Sequence, residues 1–387
     1  MEIGAYHDPY EDEEISERMI EKYKSLFKII LLYLPEKSRN FLINQDIKII
    51  LTKEKPLFNY IIYIKSIKLS HIYIFANKIL GFDNIEETGY QLFAFEQELF
   101  KLFMNNLQKK IQVVDFDHQS DEDDDEKFLQ DDLKRIGTAL KFHAINLREL
   151  SLDFCSKNSF ISYILENSIN LQKLALSKNI PNEIINENII IRNPCCPKLH
   201  TLLLYFVSIS LAIKIIEKVQ GNLCKIGIYF VTYDIENSGN FIKTIYQNCL
   251  NIEYVTIIMK NSDFDELENL LIKCHHLKGI IFESIYEGED INMVDGNKLL
   301  NLLIKKSSNN LFKLGFYFNW KFDYNTLDSF FSNWKGRKSL LLETGEKNNF
   351  LLNYPGLIKK YESIGVIKSY KHQDELWNSV YIKTVLD

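Results

Sequence analysis

LRELSL, from Leu147 to Leu152, spaces its apolar side chains as h-x-x-h-x-h, where h is apolar, and the spacing returns six times downstream. The matches are LQKLAL from Leu171, LHTLLL from Leu199, LCKIGI from Leu223, IEYVTI from Ile252, LKGIIF from Leu277 and LFKLGF from Leu311. Successive starts lie 24, 28, 24, 29, 25 and 34 residues apart. Units of this length cannot bury an apolar face alone and gain stability by stacking, so the spacing predicts a repeat array. Two further columns mark the joints. The residue before each hexapeptide is Asn146, Asn170, Lys198, Asn222, Asn251, His276 or Asn310, and three residues earlier than the hexapeptide stand Ala144, Ser168, Cys196, Gln220, Cys249, Cys274 and Ser308. A small side chain suits a helix end against its neighbour, and Asn suits the turn that follows, by tolerating left-handed geometry and bonding its own backbone.

Between the hexapeptides the apolar residues change to helical periodicity, over 159–169, 210–220, 240–249, 263–274, 297–308 and 325–334, several of these opening with Ser, Asp or Asn as caps. One strand and one helix per unit predicts an α/β solenoid, a horseshoe with parallel strands on the concave face and helices outside. The regular array is expected over 146–343, where KSLLLET, with Leu340 and Leu342 in the same spacing, supplies the last strand. Residues 57–145 hold irregular first repeats, with strands at Phe58 to Leu69 and Ile111 to Phe116 and a helix at Gln91 to Leu107. Residues 1–56 form an N-terminal helical cap, its helix from Glu13 to Leu34 ended by Pro35 and followed by a second helical piece, Glu36 to Ile43. Residues 344–387 form a C-terminal cap, because the last unit leaves an apolar face to cover. The segment from Ser284 to Gly296 reads as a rim loop that lengthens one interval.

With 387 residues, 46% of them hydrophobic and only 15 Gly and 7 Pro, the chain has ample core. A net charge of −6, with Lys scattered, gives no basic stripe for nucleic acid. The amino terminus, MEIGAYHDPYEDEE, is acidic where a secretory signal would be basic and then apolar, and no apolar stretch approaches the length of a bilayer span. A soluble cytoplasmic or nuclear protein without a membrane partner is expected. The six Cys match no disulfide framework, and Cys196, Cys249 and Cys274 fall in the small-residue column, where buried reduced thiols are expected. The run DFDHQSDEDDDE, residues 115–126, reads as an acidic inserted loop. Asp115, Asp117 and Glu126 echo the first, third and twelfth positions of a calcium loop, but Ser120 stands where that turn needs Gly.

The units from Asn146 to Phe318 resemble the leucine-rich repeats of F-box/leucine-rich-repeat proteins, in a degenerate, Ile- and Asn-rich, fungal-type form. CPKLHTLLL from Cys196, CLNIEYVTI from Cys249 and CHHLKGIIF from Cys274 carry the resemblance. At the Asn/Cys position after the strand, Cys155, Asn179 and Asn319 match, whereas Val207, Val231, Lys260 and Ile285 do not. The F-box is strongly degenerate or absent: Leu34-Pro35-Glu36 followed by Phe41, Leu42 and Ile43 is its only trace. The resemblance implies a substrate-recognition subunit of a cullin-type ubiquitin ligase that docks on the ligase's adaptor subunit. The alternative is a stand-alone repeat scaffold without ligase coupling.

No phosphate loop, G-x-G-x-x-G, H-E-x-x-H or C-x-x-C occurs, and Cys274 with His275 and His276 is the nearest approach to a catalytic or ligand cluster. Because Cys274 belongs to the joint column, its thiol is expected to pack there, so no enzyme activity, cofactor or metal is expected. The concave face offers a protein-binding surface instead. With the h positions turned inward, the third, fifth and seventh positions face outward, and from Leu203 onward they become aromatic and aliphatic. Leu203, Tyr205, Tyr229, Tyr254, Ile281 and Tyr317 are the candidate partner anchors, with glycines opening space between the tyrosines. Alternatively, the carboxy-terminal tail or the 284–296 loop folds over these rings and makes them core.

Overall fold

The structure, a computed structural model, describes residues 28–47, 66–68, helical positions between 91 and 102, 113–116, 148–153, 168–177, 196–205, 207–219, 222–229, 235–284, 294–318, 320–345 and 354–373. The chain forms two compact units, 1–196 and 197–387. Several expected features lie outside the described residues: the helix from Glu13 as far as residue 27, the strand from Phe58 as far as residue 65, the acidic run beyond Phe116, the helical stretch 159–167, Cys155, Asn179, Val231 and Asn319, residues 285–293 of the rim loop, and the tail after Gln373.

In the first unit, helix α1 (Glu36–Asn44) follows Pro35, which cannot continue a preceding helix. Strands β1 (Ser66–Lys68), β2 (Val113–Phe116), β3 (Glu149–Asp153) and β4 (Lys173–Ser177) pair in parallel in chain order. Glu149 stands opposite Lys173, so the hexapeptides align position by position.

The second unit repeats this plan with helices between the strands. Its sheet has seven parallel strands: β5 (Thr201–Tyr205), β6 (Lys225–Tyr229), β7 (Tyr254–Met259), β8 (Gly279–Ser284), β10 (Lys313–Tyr317), β12 (Leu340–Gly345) and β13 (Ile367–Gln373). Parallel neighbours require a crossover, and each crossover carries a helix: α2 (Ile209–Lys218), α3 (Ser238–Asn248), α4 (Phe264–Lys273), α5 (Gly296–Lys306), α6 (Tyr324–Asn333) and α7 (Pro355–Ser363). A small parallel pair joins β9 (Val294–Asp295), within the segment expected to be a rim loop, to β11 (Trp320–Lys321), which follows β10.

Local chemistry explains the alternation. In α2 the buried residues Ile209, Leu211, Ala212, Ile215 and Ile216 recur at helical spacing, each large side chain contributing about 1.5–3 kcal/mol through burial. Ser208 Oγ accepts from Leu211 N at 3.2 Å, Asp295 Oδ1 from Lys298 N at 3.0 Å, and Asp323 Oδ1 from Thr326 N at 2.7 Å, so three helices open on side-chain caps. In the strands Leu202, Leu204, Ile226, Ile228, Ile280, Phe282 and Leu314 are buried, as the h positions require.

Polar bonds stitch each unit to the next. At the turn into each strand one carbonyl accepts two amides of the following unit: His200 O from Cys224 N and Lys225 N, Cys224 O from Glu253 N and Tyr254 N, and Glu253 O from Lys278 N and Gly279 N, all between 2.7 and 3.0 Å. At the helix starts Ser238 Oγ donates to Asp263 Oδ2 at 2.5 Å, and Asp323 N donates to Asn297 Oδ1 at 3.0 Å. The joint asparagines act differently from expectation. Asn222 Nδ2 donates to Pro197 O, and Asn310 Nδ2 donates to His275 O at 3.3 Å, so they bond the preceding unit's turn rather than their own backbone. Nor is either left-handed; among the described residues only Asp46 and Phe318 combine a side chain with positive φ. Cys196, Cys249 and Cys274 are buried in their column as expected.

Within residues 344–387, expected to cap the array, the described part adds the helix α7 and the strand β13. Tyr361 and Lys360 of α7 bond Asp328 of α6 at 2.8 and 2.6 Å.

Candidate protein-interaction face

Side chains alternate along a strand, so the third, fifth and seventh positions of the hexapeptides share the face opposite the h positions. Register lines them into rows across the second unit. Thr201, Lys225, Tyr254, Gly279, Lys313 and Leu341 form the first row, at the strands' N-terminal ends. Thr256, Ile281, Gly315, Glu343 and Lys371 form the second, and Ile258, Glu283 and Tyr317 stand together in the third, where Tyr205 also faces Tyr229.

The expectation that six of these residues stand exposed needs correction. Leu203, Tyr205, Ile281, Tyr229 and Tyr317 are buried, the last two at 1% exposure, and only Tyr254 is half-buried. The glycines supply the physical reason. A Cβ on Gly227 would lie 2.8 Å from the Tyr229 ring, one on Gly279 would lie 2.7 Å from the Tyr254 ring, and one on Gly345 would overlap the Tyr317 ring. The space that Gly opens is filled by tyrosines lying flat on the sheet. Tyr205 then stacks on Tyr229 with centroids 5.2 Å apart and planes 12° from parallel. The Tyr205 hydroxyl is buried without a hydrogen-bond partner among the described residues.

The same face holds a charged group that single-strand reading missed. Lys313 Nζ lies 3.7 Å from Glu343 Oε1, with both side chains buried, while Glu343 Oε2 has no hydrogen-bond partner among the described residues. Burial raises the Glu343 carboxyl above its ordinary range, against the pull of Lys313 and Lys371. Burial also lowers the Lys313 ammonium; Glu343 opposes this, and Lys371 and Lys225 add to it. Glu283 has no such relief, and burial pushes it up to about 8, so it is mostly a neutral acid at pH 7. Burial raises the Tyr229 phenol, the Thr256 hydroxyl works against that, and the Glu283 and Glu343 carboxyls reinforce it. The signal for this group was available. Glu283 and Lys313 are seventh- and third-position residues, and Glu343 follows Leu342 in the last strand of the array, but only strand register brings them together.

In the N-terminal row Lys225, Tyr254 and Leu341 stay partly accessible, whereas Thr201, Gly279 and Lys313 are buried. The Tyr254 ring lies over Gly279, and Lys225 Nζ stands 5.4 Å from its centroid. Beside it Lys278 pairs with Glu253 at 2.7 Å, both partly exposed. An aromatic ring is thus held against its own sheet with a lysine beside it.

The thiol and imidazole candidates separate. His275 and His276 are exposed, whereas Cys274 is buried with its Sγ 4.0 Å from Cys249 O. Burial pushes the Cys274 thiol up to about 11, and burial with the neighbouring Cys274 pushes Cys249 up to about 12, so neither is a ready nucleophile at neutral pH. Among the described residues no group of three or more His, Cys, Asp or Glu is placed to hold a metal ion, and no helix is long and apolar enough to cross a membrane. No family model matches the sequence, and no curated protein matches it.

Proposed function

We propose that the chain is a leucine-rich-repeat solenoid of the horseshoe type that works as a non-catalytic protein-interaction module, the substrate-recognition subunit of a cullin-type ubiquitin ligase. The observation that carries this reading is the N-terminal row of the helix-free face. Seven parallel strands, stitched unit to unit through turn carbonyls and helix caps, hold Tyr254 and Lys225 in fixed positions and leave them accessible. A surface fixed before binding loses little freedom when a partner docks. The ligase part of the reading draws support from α1, which leaves Phe41 at 40% and Ile43 at 53% exposure, apolar side chains suited to an adaptor's groove. The test is co-precipitation of the full-length chain with the ligase adaptor and with ubiquitylation substrates. Phe41→Asp/Ile43→Asp is expected to lose the adaptor while keeping the substrate, and Tyr254→Ala the reverse. Capture of neither by the wild type overturns the ligase reading.

A further inference from the structure

We propose that the edge of the second unit where its helices end and its strands begin is a docking surface for an anionic lipid bilayer, touched from outside. This does not rest on the ligase reading. Each unit returns the chain to the same edge, so residues scattered in sequence gather there. Five turns line up along it: 249–251, 274–276, 307–310, 335–339 and 363–366. Hydrogen bonds tie them in order. Cys274 Sγ donates to Cys249 O at 4.0 Å, Asn310 Nδ2 to His275 O at 3.3 Å, Arg337 Nη2 to Ser307 O at 3.1 Å and Ser339 Oγ to Gly365 O at 2.6 Å.

Two properties coincide on this edge. The first is exposed aliphatic surface: Leu250 at 54%, Ile272 at 44% and Ile364 at 52% are three of the four large hydrophobic residues exposed in the described part of this unit, the fourth being Tyr324 at the start of α6. The second is charge. In the last turns of α3 to α6 and the turns that follow, residues 246–254, 271–279, 304–313 and 331–340, the only carboxylate is Glu253, and Lys278 pairs with it at 2.7 Å. Lys306 is paired with Glu268, Lys313 is buried beside Glu343, and Arg337 is half-buried on the Trp334 ring. Four exposed lysines remain without an ion pair among the described residues: Lys273, Lys305, Lys335 and Lys338. Glu362 is the exposed acid at the far end of the row. Asp265, Asp295 and Asp323 are exposed at the opposite edge, where helices begin. The helix dipole favours lysines at helix ends, but it asks for no leucine or isoleucine in solvent beside them. A nucleic acid would engage the lysines and leave the aliphatic side chains wet. An anionic bilayer takes both, drawing the ammonium groups to its headgroups and the aliphatic tips into its interfacial layer. Contact of this kind calls for no spanning segment, and so replaces the expectation, drawn from the lack of one, that the chain has no membrane partner.

Co-sedimentation of the full-length chain with vesicles tests this, phosphatidylcholine alone beside phosphatidylcholine with about one-third phosphatidylserine, at about 50 mM salt and again at higher salt. Binding to the phosphatidylserine vesicles alone is expected, weakening as salt rises. Lys305→Ala and Lys335→Ala should each reduce affinity about fivefold, and Leu250→Ser/Ile272→Ser at least about threefold. Lys321→Ala, exposed near the start of α6, should change nothing. All these positions are exposed, and a thermal melt matching wild type shows that each variant is folded. Absence of binding, equal binding to pure phosphatidylcholine, or an equal loss in Lys321→Ala overturns the inference. A fluorescein-labelled single-stranded oligonucleotide, followed by anisotropy in parallel, separates the polyanions. Lysine-dependent binding of both ligands, with Leu250→Ser/Ile272→Ser unimpaired on vesicles, would leave a plain anion-binding edge and overturn the bilayer.

Discussion

Replacing Glu283 by Gln should make the protein more stable, and increasingly so as pH rises. Glu283 is 6% exposed, stands between Ile258 and Tyr317 in register, and is raised by burial to about 8 against an ordinary 4.5. A carboxyl whose folded value lies above its unfolded value favours the folded state while protonated. Its contribution is fully present below the unfolded value of 4.5 and is lost as pH rises through about 8. At about 1.4 kcal/mol per pH unit, the wild type gives up roughly 3 kcal/mol by pH 7 and approaches 5 kcal/mol above pH 8, order-of-magnitude figures. Gln keeps the shape of the neutral acid and does not ionise. Urea unfolding of wild type and Glu283→Gln at half-unit steps from pH 5 to 8.5 reads the difference directly, with all other titrations common to both proteins. The difference should be about 1 kcal/mol or less at pH 5 and grow steadily in favour of the variant. A difference that stays flat across this window would show that Glu283 is solvated, and the picture of a shut strand face would be wrong.

Two further perturbations follow from the same packing. Gly345→Ala places a Cβ inside the Tyr317 ring position and should cost about 1–3 kcal/mol. Gly356→Ala meets nothing within 4 Å in the first turn of α7 and should be neutral or stabilise by up to about 1 kcal/mol; paired thermal melts compare the two. Asp263→Ala removes an acceptor used by Ser238 Oγ, Lys260 N and Ser262 Oγ, and should cost about 2–3 kcal/mol, whereas Asn310→Ala removes one exposed bond and should cost about 1 kcal/mol or less, by urea unfolding.

Much of this fold was legible because its rule is local. Apolar positions at h-x-x-h-x-h give β3 to β8, β10 and β12, and helical periodicity places α2 to α6 within two residues of their observed ends. The joint cysteines were readable too, since a small residue recurring before the turn has little to do but pack. β13 was not: IKSYKHQ lacks the spacing, and its pairing with β12 slips between Leu340 and Leu341, so nothing in the residues announces a strand. Nor was β9 with β11, two residues each, pinned by Trp320 donating Nε1–H to Tyr317 O at 2.9 Å. The candidate face was legible as a set of residues but not as a surface. Alternation says which side Tyr229 and Tyr317 take, yet whether a ring stands or lies depends on the neighbour opposite it, and Gly345 sits on another strand. The Lys313–Glu343 pair escaped for the same reason, since its two halves are 30 residues apart and meet only through register.

Hydroxyl-radical footprinting of the native full-length chain puts the central claim to its most direct test, because it reads the exposure of every tyrosine at once. Tyr254 should oxidise readily while Tyr229 and Tyr317, each 1% exposed, stay protected until the protein unfolds. Oxidation of Tyr229 and Tyr317 at the rate of Tyr254 would mean that these rings stand in solvent, and the closed face with its single accessible row would be contradicted.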